Sequence, residues 1–259
     1  MEKVSRVAAV YDVHGNLPAL EAVLADLGEF DYDLLVVGGD VASGPMPSGV
    51  LDRLAMIGDR VRWVCGNADR EVVDAYDRGS QAADVRPSDP ALLAAAWTAS
   101  RIGGRQRDLM ASFQPRVEVE VGELGGVLFC HGGPESDEEI LTTATSDERL
   151  LRILAGVGLD LIVCGHVHTQ YDRTVDGKRV INAGSVGIPY QGRPVGAFWA
   201  LLGPEGVALH RSDYDLGGAV ERFRTLEYPG VEDLVEALLE PPNPDWVADF
   251  FERQAGDRF

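Results

Sequence analysis

Val7-Ala-Ala-Val-Tyr-Asp-Val-His-Gly15 is an apolar run that stops abruptly at Asp12 and sets down a histidine two residues later. A short continuous run of small and β-branched residues suits a strand buried on both faces, as in parallel sheets covered by helices. The next residues agree. In Leu17–Leu27 the apolar residues Leu20, Val23, Leu24 and Leu27 share one helical face, with Pro18 in the first turn and Gly28 at the end. Leu34–Val37 reads as a second buried strand. Val50, Leu51, Leu54 and Ile57 mark a helix closed by Gly58, and Val61–Cys65 a third strand. The order βαβαβ predicts a parallel sheet with helices on its faces, the α/β class.

The rhythm breaks between about Asp74 and Pro115, where an Ala-rich helix near Leu92–Ile102 and a second short helix to Phe113 predict a helical insert. Inserts of this kind either roof a pocket or only pack onto the core, here through Leu92, Leu93 and Trp97. Val117–Val121 alternates strictly and returns through Gly122–Gly126 to Val127–Cys130, which predicts a hairpin. A helix over Asp147–Ala155, with Thr145 and Glu148 as its capping box, leads to a strand at Leu161–Cys164. Val180–Asn182, Val195–Leu202 and Val207–Ser212 read as strands with tight turns, and a helical tail is expected from about 215 to 259. One domain over 1–259 is the simplest account.

The chain has 259 residues, of which 45% are hydrophobic and 25% charged, a globular composition long enough for a substantial core. No apolar run reaches the length of a membrane span, and Met1-Glu-Lys-Val-Ser-Arg6 leads into a strand without a signal-peptide pattern, so a cytoplasmic protein is expected. Cys65, Cys130 and Cys164 sit in apolar runs without paired spacing and read as reduced, buried thiols. A net charge of −19 repels polyanions unless a local charge reverses it, which argues against duplex nucleic acid as a partner.

Ligands gather beyond the carboxyl ends of strands in parallel sheets. Here those ends read Asp12-Val-His14, Gly39-Asp40, Gly66-Asn67, His131-Gly and Gly165-His166-Val-His168. A single such ending is explained by the preference of Asp and Asn for turns. Five endings from distant parts of the chain, using four of its five histidines, are not. Carboxylate, imidazole and amide oxygen without thiolate suit manganese, iron, nickel, cobalt or zinc, while the number of imidazoles disfavours magnesium. Seven candidates exceed the needs of one tetrahedral ion and suit two divalent ions sharing a bridging carboxylate. His166 and His168 then stand side by side because each serves a different ion. His210, far from any motif, reads as structural.

Taken in order, Asp-x-His, Gly-Asp, Gly-Asn, His-Gly and Gly-His-x-His resemble the calcineurin-like metallophosphoesterase family over roughly Arg6 to Leu202. Gly38-Gly-Asp-Val-Ala-Ser-Gly-Pro45 and Asn182-Ala-Gly-Ser-Val-Gly-Ile-Pro189 resemble its small bacterial phosphoesterase branch. The resemblance implies a two-sheet sandwich flanked by helices. It implies that Asp12, His14 and His168 hold one ion and Asn67, His131 and His166 the other, with Asp40 bridging. It also implies a binuclear phosphoesterase for phosphodiesters or nucleotides, in which a hydroxide held by the ions attacks phosphorus in line. Asn67 and His14 are the residues expected to serve catalysis, and Asn67 and Arg193 to contact a small phosphoester substrate. A homo-oligomer is compatible with the sequence.

The sequence also departs from the family pattern. Many relatives place after the asparagine a histidine read as the general acid, whereas here Ala68 stands there, and Ala68 donates no proton. The neighbouring Asp69 reads as an N-cap or as an ion-pair partner of Arg70. The Gly-Asp-x-x-Asp-Arg-Gly signature of protein Ser/Thr phosphatases is missing, because Asp40 leads into Val-Ala-Ser-Gly, which argues against phosphoproteins. Arg193 has two readings, contact with a second phosphate or a solvated loop. The alternatives are a dinucleoside polyphosphate hydrolase, a phosphomonoesterase, or a scaffold of the same fold. Complete ligand positions argue against the scaffold.

Overall fold

A computed structural model describes residues 1–79 and 89–256. Two mixed sheets stack face to face, with helices on both outer faces. The first sheet has the order β1-β5-β6-β7-β9-β8, from β1 (Glu2–Val4), β5 (Arg116–Val121), β6 (Gly125–Cys130), β7 (Leu161–Cys164), β8 (Tyr171–Val175) and β9 (Lys178–Asn182). The second has the order β11-β10-β2-β3-β4, from β2 (Val7–Val10), β3 (Leu34–Val37), β4 (Val61–Trp63), β10 (Ala197–Gly203) and β11 (Gly206–Ser212). As the βαβαβ order predicts, β2, β3 and β4 run parallel, and β6, β7 and β9 form a second parallel set. Both sets end on one side of the sandwich, where the residues after β2 and β3 meet those after β6 and β7.

Strand alternation explains the continuous apolar runs. Val7, Ala9 and Tyr11 face the other sheet, where they meet Val127, Phe129, Val163 and Ile181, while Ala8 and Val10 face the helices. Those helices are α1 (Leu17–Leu27), α2 (Pro47–Ala55) and α3 (Asn67–Arg78), which bury Leu20, Val23, Leu51, Leu54 and Val72. On the far face, Leu128, Ile162 and Val180 pack under α6 (Asp147–Leu154) and α9 (Pro244–Gly256). Each fully buried leucine contributes about 1.5–3 kcal/mol, which is why a leucine on either side of a strand is placed and not arbitrary. Two further tail helices, α7 (Leu216–Arg224) and α8 (Val231–Leu239), enclose a small core around Phe223 and Leu234. Among the described residues no helix is long and apolar enough to cross a membrane.

Several expectations are corrected. The insert does not begin at Asp74, because α3 starts at Asn67 and runs through it; α4 (Pro90–Ala99) and α5 (Gly104–Ala111) come next, while residues 80–88 of the insert lie outside the described residues. The insert does not pack through Leu92 and Leu93, which stay exposed; Ala94, Ala95, Thr98 and Ala99 form the buried face of α4. Small residues win there because they let α4 approach α3 closely. The cap of α6 is Ser146, whose side chain accepts from the Arg149 N–H, whereas the Thr145 hydroxyl accepts from Thr142 N–H and donates to Glu252. The strands β1 and β8 escape a reading by apolar pattern because both lie at sheet edges and keep polar residues in water.

Candidate metal centre

The ends of β2, β3, β4, β6 and β7 deliver the seven expected residues to one side of the sandwich. At these ends the backbone turns sharply. Asp12, His14, Asp40, His166 and His168 have φ between 44° and 67°, and they are five of the seven non-glycine residues with positive φ among the described residues. Left-handed conformations of this kind cost of order 1–3 kcal/mol each and persist where the surroundings impose them, typically at functional sites.

Glycines make room for the carboxylates. A Cβ on Gly165 would meet Asp12 Oδ2 at 2.4 Å, and one on Gly66 would meet Asp40 Oδ1 at 2.2 Å. The glycines before His166 and Asn67 are thus steric requirements. Asp12 Oδ2 accepts from the His166 N–H at 3.0 Å, and Asp40 Oδ1 from the Ala68 N–H at 2.8 Å. Each carboxylate is left with one oxygen facing inward.

Those oxygens meet imidazoles. Asp12 Oδ1 lies 3.3 Å from His168 Nε2 and 3.8 Å from His131 Nε2, and Asp40 Oδ2 lies 3.4 Å from His131 Nε2 and 3.7 Å from His14 Nε2. The backs of three rings are anchored: Nδ1 of His14 lies 3.1 Å from Ser43 O, that of His131 2.9 Å from Gly38 O, and that of His168 2.7 Å from Ile188 O. A carbonyl only accepts, so each Nδ1 carries the proton and donates it, which presents Nε2 as a lone pair to the centre. His14 Nε2 and His168 Nε2 face each other at 3.2 Å. With the rings neutral, such convergence of acceptors is unfavourable unless a cation, a metal ion or a proton, sits among them.

Two groups result, Asp12 with His14 and His168, and Asp40 with His131 and His166, and in each the ligand atoms lie within 4.8 Å of one another. Asp12 Oδ1, His131 Nε2 and Asn67 Oδ1 are buried without any hydrogen-bond partner. Orphaned buried acceptors of this kind fit divalent cations, and the nitrogen and oxygen donor set fits the transition metals named from the sequence.

Electrostatics divides the centre the same way. Burial opposes charge throughout, but in the first group Asp12 overcomes it and raises His168, while burial and His168 lower His14. In the second group Asp40 overcomes burial and pushes His131 up to about 10, while burial and His131 bring His166 down to about 4. Both carboxyls stay below the usual range against burial, Asp12 mainly through His168 and Asp40 mainly through His131. Without a metal, each group thus favours one imidazolium, whose Nε2 proton a bound cation would displace.

Of the remaining expected residues, Asn67 opens α3 next to Ala68, whose N–H holds Asp40. Arg193 is turned away toward the tail, donating from Nη2 to Leu239 O at 2.8 Å and lying 3.6 Å from Glu240. Asp69 makes no ion pair with Arg70, which instead pairs with Asp137 and Glu138. Nor is Asp69 the N-cap of α3, which is Gly66: it is the third residue of the helix, buried completely, and accepts from the N–H groups of Gly66, Asp40 and Val41, so one carboxylate ties the end of β3 to the end of β4. Burial and the Asp40 charge push its pKa up to about 7.

Sequence reasoning also missed Ser185, whose hydroxyl donates to Asp12 O, and Asn182, whose amide donates to Gly165 O. Together they lash the loop after β9 to two ligand-bearing turns. The Asn182–Pro189 motif was the available signal. Beside the centre, Cys65, Arg70, Phe113, Arg116 and residues 133–137 line a cavity of about 620 Å³, so the end of the insert borders it.

The family model of the calcineurin-like phosphoesterase superfamily domain matches residues 6–202. The chain belongs to that superfamily. No curated protein matches it at a significant level. Among solved structures, a hypothetical protein from Pyrococcus horikoshii OT3 is similar at 18% identity with a TM-score of 0.79, covering 93% of this chain and 99% of the other. A metallophosphoesterase from Sphaerobacter thermophilus is similar at 23% identity with a TM-score of 0.70, covering 92% of this chain and 99% of the other. At such identities the likeness speaks for the fold, that of two sheets flanked by helices.

Proposed function

We propose that this phosphoesterase-superfamily chain is a binuclear metal-dependent hydrolase of phosphodiesters or nucleotides. The observation that carries the reading is the pair of three-residue groups converging at the strand ends, with Asp40 Oδ2 3.4 Å from His131 Nε2 and 3.7 Å from His14 Nε2, which supports a bridging role for it. Divalent ions held there supply Lewis acidity to a phosphoryl oxygen and acidify water for attack near neutral pH.

The chain's own residues supply the rest. Asp12, His14 and His168 would hold one cation, and Asn67, His131 and His166 the other. The bonds from Nδ1 to backbone carbonyls fix the rings before substrate arrives, so no reorganisation is needed during the reaction. Local positive charge then attracts a phosphate that the rest of this acidic chain repels. The Asn67 amide, whose Oδ1 is buried without a partner, would offer that oxygen to a cation and keep its N–H donors for a phosphoryl oxygen.

Proton delivery to the leaving group is the weak step. Ala68 offers only its backbone N–H, which Asp40 already takes, and Asp69 is sealed among three backbone donors. Substrates with acidic leaving groups are therefore favoured. The test is a panel of phosphoesters assayed after stripping with chelator and reconstitution with manganese, iron or zinc. Phosphodiesters and nucleotides are expected to lead. A clear preference for phosphopeptides, or no hydrolysis with any metal, contradicts the reading.

A further inference from the structure

The tail helix α9 places three aromatic rings in a row beside the centre. Phe251 lies 6.4 Å from the His166 ring, Phe250 lies 5.9 Å from Phe251, and Trp246 stacks on Phe250 at 5.2 Å with planes 14° apart. The row leads from the metal-ligand histidine outward. Phe251 is half-buried in the core, whereas Trp246 and Phe250 are 55% and 39% exposed. Single exposed apolar side chains are ordinary, but two stacked rings in water beside a reaction centre are not.

The helix cannot drift from this position. Val247, Ala248 and Ala255 are buried, and Glu252 is tied to Thr142, Thr145 and Arg149. Positions 246 and 250 are one helical turn apart, so their rings share a flank next to Phe251. Trp246 and Phe250 take no part in the core, and their exposed faces bring no charge to an otherwise acidic molecule.

We infer that Trp246 and Phe250 form a stacking shelf for the nucleobase of a nucleotide substrate whose phosphate sits at the metal centre. The inference rests on the phosphoesterase reading of that centre and narrows it from phosphoesters in general to those carrying a planar aromatic base. Stacking suits the surface because every base has a π-face, so the shelf selects nucleotides over ring-free phosphoesters without choosing strongly among bases. These two residues set specificity and touch no reacting atom.

Binding to the manganese-reconstituted full chain decides the matter, with adenosine 5′-monophosphate, ribose 5-phosphate and adenosine as probes. The monophosphate should bind at least roughly 5-fold tighter than ribose 5-phosphate. Trp246→Ala with Phe250→Ala should abolish that advantage and leave ribose 5-phosphate unchanged, while Trp246→Phe should retain most of it. Adenosine should quench Trp246 fluorescence in the wild type and not in Trp246→Phe. Parity of the two phosphates in the wild type, survival of the advantage in the double variant, or a fall in molecular mass on substitution, which would make the shelf a contact between copies, overturns the inference. Adenosine separates the two readings: if it quenches Trp246 but the phosphate adds no affinity, the phosphoesterase reading fails and the shelf stands.

Discussion

His168 and His210 each lie against an aromatic ring, Tyr190 at 4.8 Å in one case and Trp199 at 4.2 Å in the other. Both differ from a surface histidine, and only one belongs to a cluster. His168 has its Nδ1 anchored on Ile188 O and its Nε2 aimed at Asp12 and His14. His210, on the edge strand β11, has a buried Nε2 without a partner; its neighbours are Trp199 and Phe30, and it joins neither of the candidate ligand groups. An orphaned nitrogen among rings is packing. A nitrogen facing a carboxylate and a second imidazole, with its other nitrogen held in place, has the surroundings expected of a ligand, and the difference lies in what converges on it.

The sharpest way to break this comparison is to remove convergence from the first cluster. Asp40→Ala should lose more activity than the roughly 10–100-fold that outer partners of metal ligands cost, and should disturb both ions, because Asp40 faces His131 and His14 together. Equal activity and full metal content in the variant would show that Asp40 does not bridge.

The next effect concerns leaving groups. Positioned general acids contribute roughly 10²–10⁴-fold, so aryl phosphodiesters should be cleaved faster than alkyl ones by a margin of that order. The measurement is the dependence of rate on leaving-group pKa. A flat dependence would show a proton donor in place, and the account of Ala68 and Asp69 would be wrong.

The smallest effect sits at the other histidine. Burial lowers the pKa of His210 below its ordinary 6.5, only partly offset by Asp26. The folded state therefore binds fewer protons there than the unfolded state, so stability rises with pH through the window just below 6.5 and is lost as pH falls. In metal-free protein, His210→Phe should flatten that part of the profile of melting temperature against pH, with metal content and activity after reconstitution unchanged. A loss of activity would place His210 in the site after all.

The candidate ligand residues were legible because strand ends carry their chemistry locally: an apolar run, a glycine and a metal-binding residue type stand together in Gly39-Asp40, Gly66-Asn67 and Gly165-His166. The structure adds why the glycine is there, since a Cβ on Gly66 or Gly165 would collide with a carboxylate. Asp69 was not legible as a clamp, because its three donors come from residues up to 29 positions away and meet only after β3 and β4 align. The aromatic row was hidden for the same reason, as Phe251 reaches His166 across 85 positions of chain. The strands β1 and β8 were lost to their polarity at sheet edges.

Metal content is the most direct test of the central claim. Chelator-stripped protein reconstituted with manganese, iron or zinc, freed of loose ions and analysed for metal per chain, should hold two ions, one for each of the groups built on Asp12 and Asp40. A stoichiometry that saturates at one ion or none, with the chain still folded, would contradict the binuclear account.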